Sequence, residues 1–176
     1  MNIYYEKYIN FLKKHNLYNE NILNYMKLYS TYFDYREEEK RDFIGCFYMQ
    51  DKKNRINKIK AFVPHIDSDI TVLINIHEYI HLFILYHHIG KRYQRDKDEE
   101  ILPMFYELLY YIENPTKELE IKITNLNNEI KENSPLQYKI ALQSRNEILK
   151  YYQKENPNFK QLQEKAKKLS KKKIYE

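Results

Sequence analysis

Residues 77–81 read His-Glu-Tyr-Ile-His and lie at the centre of a strongly apolar stretch, ITVLINIHEYIHLFILY. On a helix, positions four apart lie about 40° apart around the axis and one turn along it. His77 and His81 would therefore point the same way, and two imidazoles so placed can both reach one tetrahedral divalent cation. Glu78 is offset to one side, near such an ion without being needed as a ligand. A carboxylate there can take a proton from an activated water and return it to a leaving amine.

The spacing fits the zinc-protease pattern His-Glu-x-x-His. With 6 His and 18 Glu in 176 residues, chance supplies roughly 0.02 such matches per chain. A buried helix carrying incidental histidines would instead have to desolvate three polar groups, at several kcal/mol if they stay unpaired. A catalytic zinc takes a third protein ligand and leaves the fourth position to water. One option is His87, because HEYIHLFILYH matches His-Glu-x-x-His-x-x-Gly-x-x-His except at the glycine, where Ile84 stands. If the helix runs straight through Ile84, His87 and His88 lie about 15 Å or more along the axis from His77. The other option is a glutamate in EEILPMFYE, residues 99–107. Glu100 and Glu107 are seven apart and share one helix face. A carboxylate near the helix start would complete a His₂Glu site, and the other would orient a histidine N–H from behind. Asp98, Glu99 and Glu100 are also residues that any helix N-terminus favours through its dipole.

The elements that must position these groups are mostly helical. Apolar residues recur at helical spacing over 2–15 and 19–38. FIGCFYMQ (43–50) and KIKAFVP (58–64), joined by a polar link, predict a β-hairpin. Asp67, Ser68 and Asp69 each offer a cap for a buried helix over about 69–88, and Gly90 offers its end. Helical spacing resumes over 99–113 and then over 116–132, 136–154 and 157–173, with Asn114-Pro115, Asn133-Ser134-Pro135 and Asn156-Pro157 as breaks. The expectation is an α+β chain, predominantly α-helical, with a small hairpin or sheet beside the helix of the motif. It reads as a single domain, 1–176, with the chemistry in 43–113 and a helical C-terminal part over 116–173.

Composition narrows the classes. Hydrophobic residues make up 43% and charged residues 31%, the balance of a soluble globular protein. Two glycines are too few for a turn-rich all-β fold. The run Ile70–Ile89 carries Asn75, His77, Glu78, His81, His87 and His88, a polar load that excludes a membrane span. The single cysteine, Cys46, rules out an intramolecular disulfide and a thiolate zinc cluster. The excess positive charge sits mainly in KAKKLSKKKIYE (165–176), read as a solvated, frayed helix end. That tail lacks the interleaved aromatics that stack on bases, so nucleic acid is not the expected partner. Without an uninterrupted apolar stretch near the N-terminus, a cytoplasmic location is expected.

The residues 77–107 resemble the zincin metallopeptidases that use a glutamate as third ligand, the gluzincin type. Among them, the chain is similar to the oligoendopeptidase F and thimet oligopeptidase family, which follows His-Glu-x-x-His with Glu-x-x-Ser-x-Phe-x-Glu. Here E100-I-L-P-M-F-Y-E107 keeps both glutamates and the phenylalanine and has Pro103 in place of serine. The resemblance implies that Glu100 is the zinc ligand, with Glu99 the fallback, and that Glu107 stands behind the ligands. It implies a zincin-like core in minimal form, and that the 58–64 strand is an edge strand that pairs with an extended peptide substrate. PLQYKIA (135–141) resembles the family's tyrosine-rich segment, which makes Tyr138 the implied oxyanion donor, although Ile140 replaces the last tyrosine.

The expected function is a zinc-dependent peptidase acting on oligopeptides or a protein target, with His77, His81 and Glu100 on Zn²⁺ and Glu78 as general base. Two alternatives stand beside it: a regulatory zincin protease that cleaves one repressor-like protein, and a non-catalytic zincin scaffold that binds peptide or zinc.

Overall fold

The computed structural model describes residues 2–28, 45–50, 56–87 and 99–174. They fall into two compact units, Met1–Gln94 and Arg95–Glu176. Both owe most of their structure to helices.

In the N-terminal unit, helix α1 (Ile3–Lys14) starts where the Asn2 side chain accepts the Tyr4 N–H. It turns inward through Asn16, held at φ 56°, a left-handed conformation that asparagine tolerates better than most residues. Leu17 and Tyr18 donate back to the Leu12 carbonyl to close that turn. The short helix α2 (Glu20–Leu23) is opened by the Asn19 side chain, which accepts from the Asn21 and Ile22 N–H groups.

The helical spacing over 19–38 does not persist into a long helix. After α2 the chain turns at Asn24 and Tyr25 and becomes strand β1 (Met26–Leu28), while 29–38 lie outside the described residues. The reason is a partner: β1 pairs in parallel with β3 (Ile56–Val63), Met26 opposite Ala61 and Leu28 opposite Val63. A ladder to an existing strand outweighs a local helical pattern, because β structure is decided by neighbours more than by propensity.

Strand β2 (Gly45–Gln50) pairs antiparallel with β3 on its other side, from Gly45 opposite Phe62 to Gln50 opposite Ile56, with an irregularity at Met49/Gln50. The order is β1-β3-β2. The strand around 58–64 is thus central rather than at the edge: Ala61 and Phe62 have ladder partners on both sides. It cannot offer those backbone groups to a peptide.

Helix α3 (Asp69–Tyr86) packs against β3, β2, α1 and α2. Of the three offered caps the fold uses Ser68: its hydroxyl accepts from the Thr71 N–H, and the Thr71 hydroxyl accepts from the Ser68 N–H, a reciprocal capping box. Lys7 of α1 reaches Asp69 at 2.9 Å. Asn75 donates to the Pro64 and Thr71 carbonyls, which ties the helix to the end of β3. The Tyr79 hydroxyl donates to the Leu17 carbonyl at 2.7 Å and accepts from the Asn19 N–H at 3.0 Å, so the α1–α2 turn is pinned to α3. Gly90 and the charged segment after it lie outside the described residues, and His87 ends the helix.

In the C-terminal unit, α4 (Ile101–Glu113) is buried at every position from Ile101 to Glu107. Pro103 falls in its first turn, where the missing N–H costs nothing because those donors have no intrahelical partner. Three amphipathic helices follow: α5 (Lys117–Asn133), capped by the Thr116 side chain, α6 (Leu136–Glu155) and α7 (Phe159–Ile174). Helix α6 is the hub, packed by α4, α5 and α7. It ends at Asn156, whose φ of 44° is again left-handed. The basic C-terminal segment is described up to Ile174. It remains helical to Ile174 because Leu162, Ala166 and Leu169 form a buried stripe beneath the lysines. No helix among the described residues is long and apolar enough to cross a membrane.

Candidate metal and hydrolytic site

The histidine pair lies mid-helix in α3, with two turns or more of helix on its N-terminal side and one turn on its C-terminal side. Val72, Ile76, Tyr79, Ile80 and Leu82 are fully buried around it, which fixes the helix axis and with it the imidazoles. His81 is buried and His77 half-buried. Their Nε2 atoms lie 3.2 Å apart, with the ring planes at 64° and the centroids at 4.9 Å.

That separation decides what the pair can hold. Two nitrogens each about 2.0–2.1 Å from one tetrahedral zinc ion lie roughly 3.3 Å from each other. The same distance also suits a hydrogen bond between two neutral rings, which requires opposite tautomers. A divalent cation needs no such asymmetry, since both rings then present a lone pair. The spacing is thus compatible both with a shared divalent cation and with a hydrogen bond between the rings.

Glu78 is buried, with 7% of its surface exposed. His87, the alternative third ligand, stands at the end of α3 and is exposed. Its ring packs on Phe83 at 4.7 Å and on Tyr86 at 5.8 Å. Helix α3 runs through Ile84 without a break, so the turn needed to swing His87 back toward His77 is not made.

In the C-terminal unit, Glu100 immediately precedes α4 and is 3% exposed. Its backbone carbonyl accepts the Met104 N–H at 3.1 Å, but its carboxylate makes no capping hydrogen bond to the helix. A capping hydrogen bond therefore does not account for the buried carboxylate of Glu100. Glu99 is only half-buried. Glu107 is buried two turns on, and its electrostatic neighbour within the unit is Arg145 of α6. Burial pulls the Arg145 guanidinium below its ordinary pKa, and the negative charge of Glu107 pushes it back up. Tyr138 is half-buried in the first turn of α6, where its N–H donates to the Pro135 carbonyl. Ile140, at the position of the missing tyrosine, is a core residue.

Two structural supports of this region escape a reading of the sequence. Tyr79, the third residue of HEYIH, is an anchor for the α1–α2 turn, and nothing distinguishes it among 19 tyrosines. Arg145 is a nine-tenths buried cation in a segment, QSRNE, that looks like a solvated helix surface. Comparison with protein-family models, with curated proteins and with solved structures finds no match for this chain.

Proposed function

We propose that the chain is a zinc-dependent peptidase of minimal zincin type. The observation that carries this reading is the 3.2 Å approach of the two Nε2 atoms on the buried helix α3, at the separation that a shared tetrahedral cation imposes. His77 and His81 would hold the ion from one helix. Glu100 would supply the third ligand, supported by its burial at the start of α4. When bound, zinc polarises a scissile carbonyl and brings the pKa of a water to about 7.

Glu78 is the proton carrier in this scheme. It adjoins His77 in sequence on the same helix, so it takes a proton from the attacking water and returns it to the leaving amine. Glu107 is the positioning residue for a ligand, and Tyr138 the donor to the oxyanion of the tetrahedral intermediate. The substrate is a peptide or an unfolded segment of a protein. Since β1 and β2 flank Ala61 and Phe62, the peptide cannot pair with the backbone of those two residues.

Metal content and peptide cleavage of the full chain test the reading together. Glu78→Gln should retain the metal of the wild type and lose turnover, while His81→Ala should lose both. A Glu78→Gln variant that cleaves a peptide mixture at the wild-type rate would sink the mechanism. A wild-type chain that takes up no zinc would remove its basis.

A further inference from the structure

A second feature of the C-terminal unit is independent of the histidine pair. Between α5 and α6 lies a cavity of about 380 Å³. Lys139, Gln143 and Asn146 reach it from one side of α6, and Asn127 and Lys131 from one side of α5, with Arg145 at its wall. Its described lining carries three cations and no carboxylate.

Arg145 is the residue that turns this from a basic groove into a site. It is only 6% exposed, yet its Nε–H meets no hydrogen-bond acceptor. Buried guanidinium groups are normally engaged by a carboxylate or phosphate through their fork of donors. Across the cavity, the Asn127 side-chain oxygen is likewise buried and without a donor. A donor and an acceptor, on facing helices and lining one cavity, are both left for something else to satisfy. The volume falls in the range of small-molecule pockets.

We propose that this cavity binds a small organic oxyanion that also carries a hydroxyl group. A phosphate or carboxylate of the ligand accepts from Arg145, Lys131 and Lys139 add attraction at the mouth, and the hydroxyl donates to Asn127. Among the described residues no aromatic side chain lines the cavity, which separates it from the stacking surfaces that hold single-stranded nucleic acid.

Calorimetric titration of the full chain with glycerol 3-phosphate and, separately, with malate tests this and distinguishes phosphate from carboxylate. One of the two should bind saturably at one per chain, with the same affinity before and after treatment with a metal chelator. Arg145→Gln should weaken binding by about tenfold or more, and Lys131→Gln with Lys139→Gln together by about threefold to tenfold. The paired lysine variant is the safeguard should Arg145→Gln unfold, which circular dichroism would reveal. Absence of saturable binding for both compounds overturns the proposal. So does an affinity unchanged in the lysine pair, or binding that disappears with the chelator, which would assign the anion to a metal ion instead.

Discussion

The two units each bury charged or titratable groups, and they do so in opposite ways. In α3 the polar residues His77, Glu78 and His81 interrupt a helix that is otherwise apolar on nearly every side. In α6 a single arginine goes inward from a helix that is otherwise amphipathic and largely solvated. The first arrangement announces itself, because three polar groups at a fixed spacing in an apolar run have few explanations other than shared chemistry. The second is silent, because an arginine in a polar helix is unremarkable until the neighbouring helices close over it. Burial is costly in both places. What differs is whether the residues needed to offset that cost are neighbours in sequence or only in space.

Substitutions can break that comparison, and the largest effect belongs to α3. Glu78→Gln should lower kcat by on the order of 10²–10⁴-fold while metal content and melting temperature stay near wild type, measured by steady-state cleavage alongside elemental analysis. If stability fell as steeply as activity, the glutamate would be a packing residue and the contrast with Arg145 would vanish.

Arg145 should show the reverse profile. Arg145→Met leaves buried Glu107 beside an uncharged neighbour and should destabilise the chain by about 3 kcal/mol, read from urea unfolding. The double substitution Arg145→Met with Glu107→Gln should recover part of that loss, because it also removes the charge that acts on Arg145. A double variant no more stable than Arg145→Met would mean that the two residues do not interact.

The third effect is smaller and tests the α3 anchor. Tyr79→Phe removes the donor to Leu17 and the acceptor for Asn19 and should cost about 1–2 kcal/mol. Hydrogen exchange should quicken first at the Asn19 N–H and the α1–α2 turn. Loss of the α3 cap is comparable or slightly less: Ser68→Ala should cost about 1 kcal/mol in the same unfolding measurement. Least of all, Lys7→Met removes a partly exposed ion pair with Asp69 and should change stability by under about 1 kcal/mol.

Helix positions were read closely wherever an apolar stripe had a clear start and stop. The span expected over 136–154 is Leu136–Glu155, and the one over 69–88 is Asp69–Tyr86. Caps and breakers act within a few residues of the chain, so the information is local. The expected helix gives way over 24–28, where β1 exists because β3 lies beside it, and the edge position expected of 58–64 is a central one. In the basic tail the lysines mark only the solvated face, and the Leu162, Ala166 and Leu169 stripe lies buried beneath them. Strand order and the partners of a helix face depend on residues far away in sequence, and periodicity carries no trace of them.

By itself the sequence determined the one-turn spacing of His77 and His81, the place of Glu78 beside them and the apolar helix that carries all three. Helical geometry alone converts that spacing into two imidazoles on one face. Only the tertiary structure decided that Ser68 rather than Asp67 or Asp69 caps that helix and that β3 lies at the centre of its sheet. It alone took Arg145 out of water, within the electrostatic reach of Glu107 and at the wall of the cavity between α5 and α6. Burial arises from contacts between distant segments, and a charged residue shows where it lies only once those segments have met.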